Sequence, residues 1–266
     1  MRILDLTQPM EEGMPVYPGD PLFRSRAAAE HETDGYRIAE ISFGSHCGTH
    51  IDLPFHFFED GENLDAFPLE TFAVRTAAID LTAELEKFRY GSLPPVILPE
   101  LLQRYAPVFE SAEGVILKTG WSRHWNSPDF ETAFPSFLPE TADWLAEQPI
   151  RLLGLETPSL SALANYSAEE GPIPLTLRRQ SEADDLLLLC ADTESHRILL
   201  GRTPPVLIVE NLLCPDGLPL VRPEETHLSP DRFFTLLAFP LRIRGGEASP
   251  LRAAALLAGP DPGPKT

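Results

Sequence analysis

The amino-acid sequence predicts a single α/β domain with a mixed, layered core, and three observations support it. Apolar segments of strand length alternate with segments that open as helices do. The chain has 266 residues and is 43% hydrophobic, enough to bury a large core. No Gly/Ser linker, charged low-complexity run or fixed-period repeat divides it. One domain is therefore expected over residues 1–258, with a disordered tail at 259–266 (GPDPGPKT).

In chain order, residues 2–7 (RILDLT) alternate weakly and suit a short strand. The stretch from Pro9 to Pro21 is rich in Pro, Gly and acidic residues and reads as a surface loop. Residues 37–43 (RIAEISF) alternate more clearly, and 73–80 (AVRTAAID), 114–119 (GVILKT), 151–155 (RLLGL) and 205–210 (PVLIVE) also read as strands. Helices are predicted at 99–106 (PELLQRYA) and 139–147 (PETADWLAE), each opening with Pro followed by an acid. A third is predicted at 192–200 (DTESHRILL), where Asp192 supplies the cap. The stretch from Ser161 to Asp185, with Gly171, Pro172 and Pro174 among many charges, reads as an irregular excursion, a cover or an interface arm.

Composition excludes several function classes. The 21 basic and 40 acidic residues give a formal net charge of −19, which repels phosphate backbones and anionic headgroups. Nucleic-acid and membrane partners are therefore not expected. The three cysteines, Cys47, Cys190 and Cys214, are odd in number and none forms a CxxC pair, which argues against a disulfide scaffold or a Cys-rich zinc knuckle. The opening residues lack the basic start and long apolar stretch of a signal peptide, and runs such as LLLLCA are too short to span a bilayer. A cytoplasmic protein is expected.

The chemistry concentrates in the segment GSHCGTHIDLPFH, which places three of the seven histidines, His46, His50 and His56, within eleven residues of one another, with Asp52 among them. Their even spacing shares one face of an extended chain and splits around a helix, and Gly44, Gly48 and Pro54 disfavour a continuous helix. A straight strand fails as well, since it would set the His46 and His50 α-carbons ~13 Å apart. A turn over 46–49 with Gly48 as hinge, leading into a short strand that Pro54 ends, solves both problems. Two imidazoles and a carboxylate suit a divalent cation, zinc first and manganese second, with coordination positions left open for water. His56 then reads either as the proton shuttle or as a third imidazole ligand.

Two downstream residues form a second candidate pair. Glu210 closes the apolar strand VLIVE, where a carboxylate is costly unless paired or metal-bound, and His196 lies on the predicted helix. The candidate substrate contacts are Tyr17, Trp121 and His124, with a turn anchor the alternative role for Tyr17 and core packing the alternative for the aromatic pair. His31 and His227 sit in acidic loops and read as solvated.

At these residues the sequence resembles the metal-dependent cyclase family, which includes bacterial kynurenine formamidase and isatin hydrolase. HCGTHIDLPFH matches the family pattern His-x-Gly-Thr-His-x-Asp-x-Pro-x-His throughout. Supporting matches are ILDLTQPMEEGMPVYPGDP, GVILKTGWSRHW, WLAEQPIRLLGLETPSL and SHRILLGRTPPVLIVENL. The resemblance implies a swivelling β/β/α domain, a mixed sheet with a barrel-like core flanked by helices, assembled as a homodimer or homotetramer. It implies that His46, His50 and Asp52 hold a metal, that His196 and Glu210 complete a site for one or two ions, and that His56 is the proton donor and acceptor. The implied reaction is hydrolysis of a small-molecule formamide, as in tryptophan catabolism, with lactam or lactone opening, or a non-catalytic binding role, as alternatives. The chain departs from the pattern at Glu156, where many relatives carry Asp, and at Ser161, where an Asp is common. Both are expected near the second-ion position and the substrate mouth.

Overall fold

The computed structural model describes residues 1–86, 94–161, 193–225 and 228–258, with the backbone of two short strands at 164–166 and 187–189. Its strands are β1 (Arg2–Asp5), β2 (Arg24–Ala29), β3 (Ile38–Ser42), β4 (His50–Asp52), β5 (Ala73–Asp80), β6 (Val96–Ile97), β7 (Gly114–Lys118) and β8 (Ser136–Phe137). They continue as β9 (Leu152–Leu155), β10 (Ala164–Tyr166), β11 (Leu187–Leu189), β12 (Leu207–Glu210), β13 (Leu220–Val221), β14 (Phe233–Pro240) and β15 (Ala248–Leu257). The helices are α1 (His31–Asp34), α2 (Thr82–Leu85), α3 (Pro99–Gln103), α4 (Ala106–Ser111), α5 (Pro139–Ala146) and α6 (Glu194–Leu200).

Seven strands close on themselves in the order β15-β14-β5-β7-β9-β12-β4, with β4 returning to β15, while β1 and β13 pair along the outside of this path. The inner run β5-β7-β9-β12 is parallel, and each crossover carries helices. β9 and β12 are buried along their whole length, as strands covered on both faces must be, and this is why they read as unbroken apolar runs. The pairings that close the ring, β12–β4, β4–β15, β15–β14 and β14–β5, are antiparallel. β15 closes the barrel because it serves two neighbours on one edge: residues 248–250 pair with β4 and residues 254–257 with β1. The α/β fold with a barrel-like core is thus the architecture observed.

Several expectations need correction. The 37–43 strand forms, but it pairs only with β2 in an outlying hairpin, and Ile38 and Ile41 are 52% and 54% exposed. Alternation there does not mark a core strand. The helix expected over 99–106 is two helices, α3 and α4, since Pro107 is tolerated only in a first turn. The two longest C-terminal strands, β14 and β15, carry no clear sequence signal: Pro250 and the alanines of β15 argue against a strand, and closure of the barrel overrides them. Apart from β10 and β11, the excursion from residue 162 onward lies outside the described residues, as do Cys190, His227 and the tail at 259–266. Among the described residues, no helix is long and apolar enough to cross a membrane.

Candidate metal centre

The chain turns at Ser45 and His46, with Cys47 N–H donating to the Gly44 carbonyl at 3.1 Å, and then hinges at Gly48, whose φ is +67°. Only glycine takes up that left-handed conformation without cost. The hinge brings the His46 and His50 rings to 5.0 Å between centroids, a closeness an unbroken strand forbids. β4 then sets His50 and Asp52 on one face and sends the fully buried Ile51 to the other. Pro54 ends the strand by opening a single 3-10 turn that carries His56.

Pairing of β4 with β12 supplies the next group. Glu210 lies directly opposite His50 in antiparallel register, so the two side chains share a face. His196, on α6, completes the cluster. His46 Nδ1 lies 2.8 Å from Asp52 Oδ1, and His50 Nε2 lies 3.3 Å from that oxygen and 3.4 Å from Glu210 Oε2. His196 Nε2 lies 3.2 Å from Glu210 Oε1 and 4.0 Å from Asp52 Oδ2. The His56 ring sits 4.1 Å from the His46 ring. The five residues expected as ligands and the expected proton shuttle therefore meet in one place.

The donor set fits a divalent cation. His46 Nε2, His50 Nε2 and Asp52 Oδ1 are buried without a hydrogen-bond partner, a costly state for polar atoms. His50 Nδ1 lies 2.9 Å from the Gly48 carbonyl. A carbonyl only accepts, so Nδ1 donates its proton there and Nε2 is the nitrogen left facing the two carboxylates, where a ligand atom is needed. Two overlapping triads, His46–Asp52–His56 and His50–Asp52–Glu210, each bring three ligand atoms within 4.8 Å of one another, with Asp52 common to both.

The electrostatics show the same need for positive charge. For Asp52, burial opposes ionisation, but the positive charge of His46 beside it, with that of His50 behind, holds the carboxyl well below its usual range. Burial, then the Asp52 charge, pushes Glu210 well above its usual range. Two buried carboxyls this close do not both ionise without a cation. Burial works against a charge on His46, but Asp52 outweighs it and raises the ring to about 9. His56 and His196 fall to about 4, chiefly through burial.

A cavity of about 370 Å³ opens over the cluster, at the carboxyl ends of the parallel strands β9 and β12, where open α/β sheets bind ligands. Tyr17 lines it, as expected. Trp121 and His124 are not among the described residues that line it, a correction to their expected role. Instead Trp121 packs behind Phe130, donating its Nε1–H to the Phe130 carbonyl at 3.0 Å, and His124 stacks on Trp121. Phe130 and Phe57 form the aromatic walls, with Asp20 and Glu131 adding carboxylates. Phe130 and Glu131 had no motif to mark them, whereas Asp20 lies in the opening family match, Phe57 follows His56 and Asn211, also at the cavity, follows Glu210. Ser161 does lie at the cavity. Glu156 does not line it: its buried carboxylate accepts from Thr119 N at 2.6 Å, Gly120 N at 2.5 Å and Ser122 Oγ at 2.5 Å, tying down the loop after β7.

Comparison with known proteins points the same way. The family described as "Putative cyclase" matches residues 4–162, more than half of the chain. The kynurenine formamidase of Bordetella avium (strain 197N) is 27% identical over 255 residues, covering 95% of this chain and 96% of that one. That of Bacillus anthracis is 27% identical over 258 residues, covering 94% and 95%. Among solved structures, isatin hydrolase A from Labrenzia aggregata superposes with a TM-score of 0.69 at 24% identity, covering 96% of this chain and 93% of that one.

Proposed function

The chain belongs to the cyclase family, and from that premise we propose that it is a divalent-metal-dependent hydrolase that cleaves the C–N bond of a small formamide. The observation that carries the proposal is the convergence of three imidazoles and two carboxylates, with three of their buried atoms lacking hydrogen-bond partners, at the floor of a cavity of about 370 Å³. His46, His50, Asp52, His196 and Glu210 would hold the ion. When bound, a divalent ion supplies Lewis acidity and lowers the pKa of water towards ~7. Zinc suits this nitrogen-rich set first and manganese second, with one ion or two held by these five residues.

The protein's own groups then have distinct tasks. Phe57 and Phe130 flank an aromatic substrate and exclude water from it, and Tyr17 contacts it at the rim. The imidazole of His56, at the cavity wall beside His46, takes a proton from the attacking water and delivers it to the leaving nitrogen. The products are an amine and a carboxylate. Kynurenine formamidase-like activity is the leading reaction because relatives of that name align along nearly the whole chain. Lactam opening of the isatin type, or lactone hydrolysis, is the second reading, favoured by the same fold and by the aromatic cavity walls. A homodimer or homotetramer accords with the exposed apolar residues of the β2–β3 hairpin, which buries too little to stand alone.

Elemental analysis of the purified protein, with a panel of formamides, lactams and lactones assayed with and without chelator, tests this reading. Metal at one or two equivalents and chelator-sensitive formamide turnover are expected. Protein that holds metal yet turns over no member of the panel would leave a binding function instead. Full activity without any metal would end the proposal.

A further inference from the structure

Asn211 is buried at the cavity and, with a φ of +58°, is the only non-glycine residue with positive φ among the described residues. Asparagine bears that conformation better than most residues, but it is still uncommon and needs support from its surroundings. The supports are specific. Asn211 N–H donates to the Thr157 carbonyl at 3.0 Å, and the Asn211 carbonyl accepts from Thr49 Oγ1 at 2.6 Å. Its side-chain Nδ2 donates to the Gly48 carbonyl at 2.9 Å. The same carbonyl faces His50 Nδ1, also at 2.9 Å.

The Gly48 carbonyl therefore receives two donors on its two lone pairs. One orients a ring of the cluster; the other comes from the residue next to Glu210. Gly48 has no side chain to resist rotation of its peptide, so this carbonyl needs an outside anchor. We propose that Asn211 is a positioning residue for the metal centre: it fixes the Gly48 carbonyl so that His50 donates Nδ1–H to it and aims Nε2 at Asp52 and Glu210. Asn211 also ties the hinge before β4 to the end of β12, so the two strands that carry His50, Asp52 and Glu210 keep their register. The inference rests on the metal-dependent reading above.

The test uses Asn211→Gly, which keeps the positive φ and removes the side-chain anchor, and Asn211→Ser, which is too short to reach the Gly48 carbonyl. Zinc affinity is measured by competition with a chromophoric chelator, and thermal unfolding is followed on the metal-free proteins. Both variants are expected to bind zinc about 10–100-fold more weakly than the wild type, the usual effect of losing an outer-shell partner. A purely structural role would instead lower the unfolding temperature of the metal-free protein and leave the affinity of the folded protein unchanged, and that result overturns the inference. Should the glycine variant not fold, the serine variant decides by the same titration. Wild-type protein that takes up no zinc would defeat the functional reading itself, which separates the two failures.

Discussion

Metal uptake should displace protons, and the structure says from where. In the metal-free protein Asp52 raises His46 to about 9, against an ordinary 6.5, even though burial of the ring pulls the other way. At pH 7 the ring is then about 99% protonated, by the two-unit gap. A cation binds only the neutral imidazole, so at pH 7 it competes against a proton held about 100-fold in excess, a penalty of about 3 kcal/mol. Burial and the Asp52 charge raise Glu210 well above the carboxylate range, so its proton also competes with the cation. The signs are opposite for fold and metal. A raised His46 stabilises the metal-free fold fully below about 6.5, and this contribution fades as pH climbs through 9. Metal affinity instead rises about tenfold per pH unit between 7 and 9 from His46 alone, more steeply if Glu210 loses its proton in that range, and then levels off. Calorimetric zinc titrations in two buffers of different ionisation enthalpy count the protons released, and chelator competition from pH 6 to 9 gives the slope. Affinity independent of pH over that range, with no proton released, would refute the electrostatic account of the cluster.

Other substitutions separate roles within the site. Asp52→Ala, which removes the residue common to both ligand triads, should lose metal and activity together, read by elemental analysis and turnover. His56→Ala should keep its metal and lose ~10²–10⁴-fold in kcat, the usual share of general acid–base catalysis; loss of metal would make His56 a ligand instead. Glu156→Ala strips the acceptor from the Thr119 and Gly120 N–H groups and from Ser122, at about 1–3 kcal/mol for each buried donor left unpaired. Its melting temperature should fall by several degrees with zinc stoichiometry intact, whereas a change in stoichiometry would return Glu156 to the metal centre.

How far the sequence can be read differs between strands. β7, β9 and β12 announced themselves because parallel strands buried on both faces must be largely apolar. β15 did not, because an alanine-rich segment with an internal proline becomes a strand only when neighbours on both edges demand it. β3 was legible from its alternation, but that it pairs only with β2 and has no core beneath it was not.

The same division runs through the site. Three imidazoles and a carboxylate crowded into one short segment with a glycine hinge already required a bend, because chain geometry is local and an extended backbone cannot bring His46 to His50. Glu210 was conspicuous as a charge at the end of an apolar strand, but its position opposite His50 follows from β12 pairing with β4, a contact between segments some 160 residues apart. The substrate walls depended on tertiary structure entirely. Trp121 and Phe130 are equally aromatic in the sequence, and only packing decides that Phe130 faces the cavity while Trp121 stands behind it. Local rules govern which atoms can bend toward one another within a few residues; which distant side chains meet them is settled when the barrel closes and burial selects one face of each strand.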